Sequence, residues 1–363
     1  MLGTDKFSQF DYFLFLTAVV LALFGLLGIY SSGGEEVGGI FARQVVWIVL
    51  GITLCLILSS VDYHFLADHA FLFYLCSLFI LIGTLFFGTE INGSRSWITF
   101  SGVGFQPSEM VKLVVILALA RYLAERNEKR LPGKHFLILT MITLTPMFLV
   151  VLQGDLGTAL TYFPILIVVM ALVPGLRPRF LVGVLIVCGC LAPIGWSFLK
   201  DYQKQRILVT LDPELDPQGV GYQTRQSRIA IGSGGITGKG LGNGLQSQLG
   251  FVPEVHTDFI FALLAEETGL VGGIVILMLY LCVLMRLTRI AEVARERVGI
   301  LIVAGVASLL FFHITVNIGM VIGILPAVGI PLPLMSYGGS STLTTFAALG
   351  LALSVYRRRF VHR

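Results

Sequence analysis

Long, nearly uninterrupted apolar runs constrain this chain more than any other feature. A helix that crosses a bilayer needs about 20 consecutive, mostly apolar residues. Ten stretches meet that description: 12–30, 41–60, 66–88, 107–124, 136–152, 155–173, 180–199, 260–286, 299–324 and 336–356. Of the 363 residues, 56% are hydrophobic and only 13% charged, whereas a soluble domain carries roughly a quarter charged residues. A water-soluble fold cannot hide so much apolar surface; a bilayer can. The expectation is an all-α, polytopic integral membrane protein forming one transmembrane domain over 1–363. The first run, Phe13 to Tyr30, is longer than a signal-peptide core and follows a barely basic start, so it reads as a retained span. No 20–50-residue period and no inverted repeat is visible.

Orientation follows from Lys and Arg in the short loops. Arg121, Arg126, Lys129, Arg130 and Lys134 follow span four, and Arg177 and Arg179 follow span six. Arg286, Arg289, Arg295 and Arg297 follow span eight, and Arg357, Arg358, Arg359 and Arg363 close the chain. All four groups fall on one side, the side of both termini if the span count is even. The opposite short loops hold little more than Arg43 and Arg95. Both termini are therefore expected in the cytoplasm. The net charge of +4 is dispersed, and nothing in it suggests nucleic acid. The five cysteines, Cys55, Cys76, Cys188, Cys190 and Cys282, sit inside apolar runs without metal or disulfide spacing.

One connection differs from the rest. Residues 200–257, between spans seven and eight, form a 58-residue polar segment on the outer side, with six basic and five acidic side chains. A connection that long invites a functional reading. Its glycine-rich centre, Gly232 to Gly240, looks like a phosphate loop but fails the pattern, because Gly240 rather than Ser or Thr follows Lys239. Two readings stay open there: a flexible hinge, or a nest of backbone amides for an anion.

The ionisable residues near this outer leaflet are few. Asp258, at the mouth of span eight, can cap that helix, as Thr257 can, or act as a general base. From Asp258 to Arg286 is 29 residues, about 43 Å of helix against a hydrocarbon core of about 30 Å. Glu266 and Glu267 are therefore expected above the core or in a wet cavity. Glu109 and Lys112, three apart at the start of span four, form either a structural ion pair or a functional one. Asp155 occupies the turn after span five. The Pro- and Gly-rich stretch from Pro326 to Ser341, with Ser340 as a candidate substrate contact, reads as irregular backbone lining a cavity. Topology thus gathers Glu109, Lys112, Asp155, Arg206, Glu254, His256 and Asp258 at one leaflet. Basic groups beside a carboxylate suit a diphosphate leaving group and a hydroxyl nucleophile, and the membrane favours a lipid-linked substrate.

Several motifs then carry a resemblance over nearly the whole chain: Asn92-Gly93-Ser94-Arg95-Ser96-Trp97, Gln106-Pro107-Ser108-Glu109, Gln153-Gly154-Asp155-Leu156-Gly157-Thr158, His256-Thr257-Asp258-Phe259, and Gly329-Ile330-Pro331-Leu332-Pro333 through Ser340-Ser341. The chain resembles the SEDS family (shape, elongation, division and sporulation). The stretches Gln226 to Ile231, Thr237 to Gly240 and Gln246 to Leu249 look like its elongation branch. The resemblance implies a peptidoglycan glycosyltransferase that polymerises lipid II, inverts at the anomeric carbon, and depends on the motif's Asp, here Asp258. It implies diphosphate-facing roles for Lys112, Arg206 and Arg228, with Glu109, Asp155, His256 and Ser340 lining the substrate site. A divalent cation (Mg or Mn) is compatible with it, Glu109, Asp155 and Glu254 being the candidate ligands. The implied partner is a class B penicillin-binding protein within the elongation machinery. The rival expectations are a lipid II flippase and a non-enzymatic scaffold.

Overall fold

The computed structural model describes residues 10–33, 37–91, 93–100, 103–126, 132–172, 197, 201–211, 216, 219–248, 251 and 254–359. Helices dominate. In chain order they are α1 (Tyr12–Ser31), α2 (Val37–Ser60), α3 (Tyr63–Asp68), α4 (Ala70–Phe87), α5 (Pro107–Ala124), α6 (Gly133–Leu152), α7 (Leu156–Leu160) and α8 (Tyr162–Ala171). They continue with α9 (Asp201–Leu211), α10 (Val220–Ser233), α11 (Leu245–Gln248), α12 (Ile260–Val293), α13 (Arg297–Val321) and α14 (Gly339–Arg357). Among the described residues, α1, α2, α4, α6, α12 and α13 are long and apolar enough to cross a membrane.

Two further helices, α5 and α14, are enclosed by the others, with most of their residues buried. Small residues allow the close approach. A β-carbon on Gly350 of α14 would lie 2.7 Å from the Cys55 carbonyl of α2, and one on Gly51 of α2 would lie 2.6 Å from the Phe346 ring. Apolar side chains cover the outer surfaces of α1, α2, α4 and α6, where Phe79 and Phe148 are exposed; that is the pattern of helices solvated by lipid.

The ten expected spans need revision. The one at 180–199 lies outside the described residues. The one at 66–88 is interrupted at His69, which separates α3 from α4. The one at 155–173 is two short helices, α7 and α8, meeting at Thr161.

The all-α expectation also needs correction. Thr89–Ile91, Ser94–Phe100 and Val103–Phe105 form a small three-stranded antiparallel sheet, β1-β2-β3. Gly93 turns the chain at φ +80°, a conformation glycine adopts without steric cost. Trp97, Ile98, Thr99 and Phe105, all β-branched or aromatic, then favour the strands. The sheet is tied to the helices, since the Arg95 amide donates to the Gln153 carbonyl (2.8 Å).

The polar segment before α12 is largely helical where it is described, through α9, α10 and α11. In its glycine-rich centre most amides beyond the helix end are already engaged within the protein, which leaves little of a nest for a foreign anion. α12 departs from helical geometry at Gly269 (φ 67°, ψ −163°), and the glycine-rich chain takes up the hydrogen bonds freed there. The amides of Lys239 and Gly240 donate to the carbonyls of Glu266 and Glu267 (3.1 and 2.9 Å). The amides of Leu270 and Val271 donate to the carbonyls of Gly235 and Ile236 (2.9 and 3.2 Å).

Glu266 and Glu267 are correspondingly not in a wet cavity but fully buried. Lys239 Nζ and the Gln246 amide donate to Glu266 Oε1 (2.7 and 3.0 Å). The Ser31 hydroxyl and the Gly242 amide donate to Glu267 Oε1 (2.5 and 3.1 Å). Two buried carboxylates therefore fasten the polar segment to α1 and α12, where desolvation would be costly without these donors.

Candidate functional site

The site lies at the end of the bundle that carries the sheet. Asp258 stands two residues before α12. Neither it nor Thr257 caps that helix: the N-cap is Phe259, without a side-chain cap bond, and the Thr257 hydroxyl donates to the Glu254 carbonyl and carboxylate instead (both 3.1 Å). Glu254, at φ +52°, gathers the turn by accepting the amides of Thr257, Asp258 and Phe259 on its carbonyl. Among the described residues no donor reaches the Asp258 carboxylate. Burial, then the nearby Glu254 carboxylate, push Asp258 up to about 6, against the opposing pull of Arg206. A carboxylate desolvated yet still ionised near neutral pH has the character of a general base.

Arg206, from α9, approaches from the other side. One of its Nη atoms donates to the Ala327 carbonyl (3.2 Å). Between it and Asp258 lies Gly329, at φ +69°, where an added β-carbon would sit 3.6 Å from Asp258 Oδ2 and 3.8 Å from Arg206 Nη1. A carboxylate and a guanidinium thus face one spot on the backbone, and the absence of a side chain keeps that spot open. Arg228, on α10, is exposed and runs along Gly323. Ser227 beside it donates to the Val321 carbonyl (2.5 Å), anchoring α10 to the end of α13.

The stretch after α13 is irregular backbone, as expected, and side chains from several helices hold it. Gln44 of α2 donates to the Ser336 carbonyl and accepts from the Gly338 amide, both at 3.2 Å. Tyr280 donates to the Pro333 carbonyl (2.5 Å). The Tyr337 amide donates to the His256 carbonyl (2.9 Å), and the two rings meet edge to face.

The α5 side of the site is built from Gln106 onward, Pro107 occupying the first helical turn, where its missing amide costs nothing. The Gln106 amide donates to Ser340 Oγ (2.7 Å), and its side-chain nitrogen donates to Asp155 Oδ2 (2.5 Å). Asp155 Oδ1 accepts from the Thr158 amide (3.0 Å), capping α7. Ser340 and both Asp155 oxygens are thus occupied in joining α5, α7 and α14. Burial raises the Asp155 carboxyl above its usual range, against the pull of the Thr158 hydrogen bonds.

Deeper in the bundle, Lys112 Nζ donates to Glu109 Oε1 (2.8 Å) and lies 3.2 Å from His313 Nε2 on α13. All three are buried and border a small pocket with Ser341, Thr344 and Thr345. The reading from sequence missed His313 and Asn317, although polar groups inside an apolar span are functional candidates by their cost alone.

Glu109, Asp155 and Glu254 do not converge, and among the described residues no group of three His, Cys, Asp or Glu side chains is placed to hold a metal ion. The cation expectation therefore finds no support in the donor set of the described residues.

Comparison with known proteins decides the relationship. The FtsW/RodA/SpoVE family profile, described as "Cell cycle protein", matches residues 11–360. The chain belongs to this family. The peptidoglycan glycosyltransferase MrdB of Escherichia coli K12 is 39% identical over 347 residues, covering 95% of this chain and 92% of that protein. The peptidoglycan glycosyltransferase RodA of Treponema pallidum is 35% identical, covering 97% and 98%. Among solved structures, a chain of a peptidoglycan synthase complex in which polymerisation and crosslinking are coordinated superposes with TM-score 0.83 at 34% identity, covering 97% of this chain and 99% of that one. The Thermus thermophilus rod-shape-determining protein RodA superposes with TM-score 0.74 at 31% identity, covering 97% and 98%. This family member is a multi-pass membrane protein like them.

Proposed function

We propose that this chain is a peptidoglycan glycosyltransferase of the elongation type that polymerises lipid II with Asp258 as its general base. The observation that carries the base is the Asp258 carboxylate, free of donors among the described residues, pushed up to about 6 and facing Arg206 across Gly329. A sugar hydroxyl of the acceptor gives its proton to Asp258 as its oxygen attacks the donor's anomeric carbon from the face opposite the leaving group. The bond from that carbon to the diphosphate oxygen breaks, the configuration inverts, and the lipid diphosphate leaves. Arg206 and Arg228 supply positive charge for the diphosphates. Lys112 engages them by exchanging one of its present partners for a phosphate oxygen. His256 shapes the acceptor side, while Glu109, Asp155 and Ser340 hold these elements in register.

The basic loops described above support cytoplasmic termini, and hence a site facing the periplasm or cell exterior in the bacterial inner membrane. The described parts of the polar segment, α9 to α11, then lie on the outer side of the single domain. A class B penicillin-binding protein is the proposed partner, which is supported by the likeness to a chain of a synthase complex that coordinates polymerisation with crosslinking.

The test is labelled lipid II supplied to the protein in vesicles, with glycan chains and transbilayer movement measured in the same preparation. Polymer made by the wild type and lost in Asp258→Ala supports the enzyme. Movement of lipid II without polymer identifies a flippase, and neither activity leaves a scaffold.

A further inference from the structure

We propose that His313 and Asn317, one turn apart on α13, are positioning residues that hold the two halves of the polymerase site in a single frame: His313 through Lys112, Asn317 through the backbone of Asp258. The inference rests on the function proposed above. Residues four apart lie on one face of a helix, so a single rigid element touches both α5 and the Asp258 turn.

His313 Nδ1 lies 2.8 Å from the Leu309 carbonyl, which only accepts, so Nδ1 carries the hydrogen. That leaves the Nε2 lone pair to accept from Lys112 Nζ at 3.2 Å. The ammonium is thus held between one anionic acceptor, Glu109, and one neutral acceptor, His313. A neutral partner orients the N–H groups without adding a second charge, so the ammonium remains available for exchange with a phosphate oxygen.

Asn317 is fully buried and spends its Nδ2 hydrogens on two carbonyls, Asp258 at 2.9 Å and Ile330 at 2.8 Å. Those carbonyls belong to the two segments whose approach forms the Asp258–Gly329–Arg206 juncture. Its Oδ1 is buried without a hydrogen-bond partner among the described residues. A buried, half-satisfied amide is costly where packing alone is needed; a leucine would fill that space without the unsatisfied oxygen. The two donors thus fix where the Asp258 carboxylate stands relative to Gly329.

The test uses the full-length chain in vesicles with labelled lipid II, measuring kcat, KM and thermal stability for His313→Leu, His313→Gln and Asn317→Leu. Losing one hydrogen bond to a charged group corresponds to roughly a tenfold to hundredfold effect. His313→Leu is expected to lose that much in kcat/KM, chiefly through KM. His313→Gln, which keeps an acceptor for Lys112, is expected to recover most of it. Asn317→Leu is expected to lower kcat with KM little changed. If His313→Leu fails to fold, His313→Ala takes its place.

Leucine variants that polymerise like the wild type would overturn the proposal. So would a glutamine no better than leucine, or activity lost only in proportion to folded protein. Lys112→Ala and Asp258→Ala are measured alongside. If both are inactive while the α13 variants are normal, only this inference fails. If both are active, the assignment of Asp258 and Lys112 to the polymerase site fails and takes this inference with it.

Discussion

Replacing Asp258 by asparagine should stabilise the fold while removing activity. The carboxyl ionises at 3.8 in an unfolded chain and at about 6 in the native one. Each unit is worth 1.36 kcal/mol, so the ionised group costs the native state about 3 kcal/mol at neutral pH. The sign follows from proton binding. Between pH 3.8 and about 6 the native state holds more protons than the unfolded chain, so stability falls as pH rises through that window. Above it the penalty is complete. Asparagine has the same shape without the charge and should raise the unfolding temperature by a few degrees at neutral pH. Near pH 5 the gap should narrow, because the wild-type carboxyl is then largely protonated. The assay is thermal unfolding of wild type and Asp258→Asn in lipid nanodiscs at both pH values, with glycan synthesis measured on the same samples. Synthesis should fall by about 100-fold or more, the usual loss of a general base. A variant that melts below the wild type at neutral pH, or a gap that does not depend on pH, would refute the desolvated-carboxylate reading.

Other consequences are equally specific. Lys239→Ala leaves Glu266 buried without its cation and should cost about 3–5 kcal/mol, whereas the Lys239→Met, Glu266→Gln pair should cost less; denaturation of the single and double variants compares them. Gly269→Ala combines a left-handed φ of 67° with a β-carbon 2.3 Å from the Gly238 amide nitrogen. It should destabilise by about 1–3 kcal/mol and speed hydrogen exchange at the amides of residues 238–242. Gly329→Ala places a methyl against Asp258 and Arg206 at a φ of +69°; it should cost about 1–3 kcal/mol of stability and depress glycan synthesis beyond the loss of folded protein. Lys112→Ala should raise the lipid II KM, and an unchanged KM would remove Lys112 from substrate binding.

The membrane spans were legible because apolar length is a one-dimensional property, and α1, α2, α4, α6, α12 and α13 fall close to the expected stretches. Asp258 was legible as a candidate because a carboxylate at a span mouth is scarce in so apolar a chain. Its freedom from capping was not, since that depends on where the Glu254 carbonyl turns the backbone. The glycine-rich stretch was misread because a glycine run specifies permissive backbone and not its partner; the break at Gly269 that receives it lies some 30 residues downstream. The β1-β2-β3 sheet was hidden in a connection too short and polar to signal through hydrophobic periodicity. His313 and Asn317 were visible as polar residues in a span, but their roles depend on which helices α13 meets.

The central claim is that Asp258 takes the acceptor's proton. Its most direct test is the pH dependence of kcat/KM for lipid II polymerisation by the purified protein, from about pH 5 to about pH 8. An acid limb with an apparent pKa near 6, absent in a slow and pH-insensitive Asp258→Asn variant, is the predicted result. A wild-type profile flat through pH 6, or an asparagine variant with the wild-type rate and profile, would contradict it.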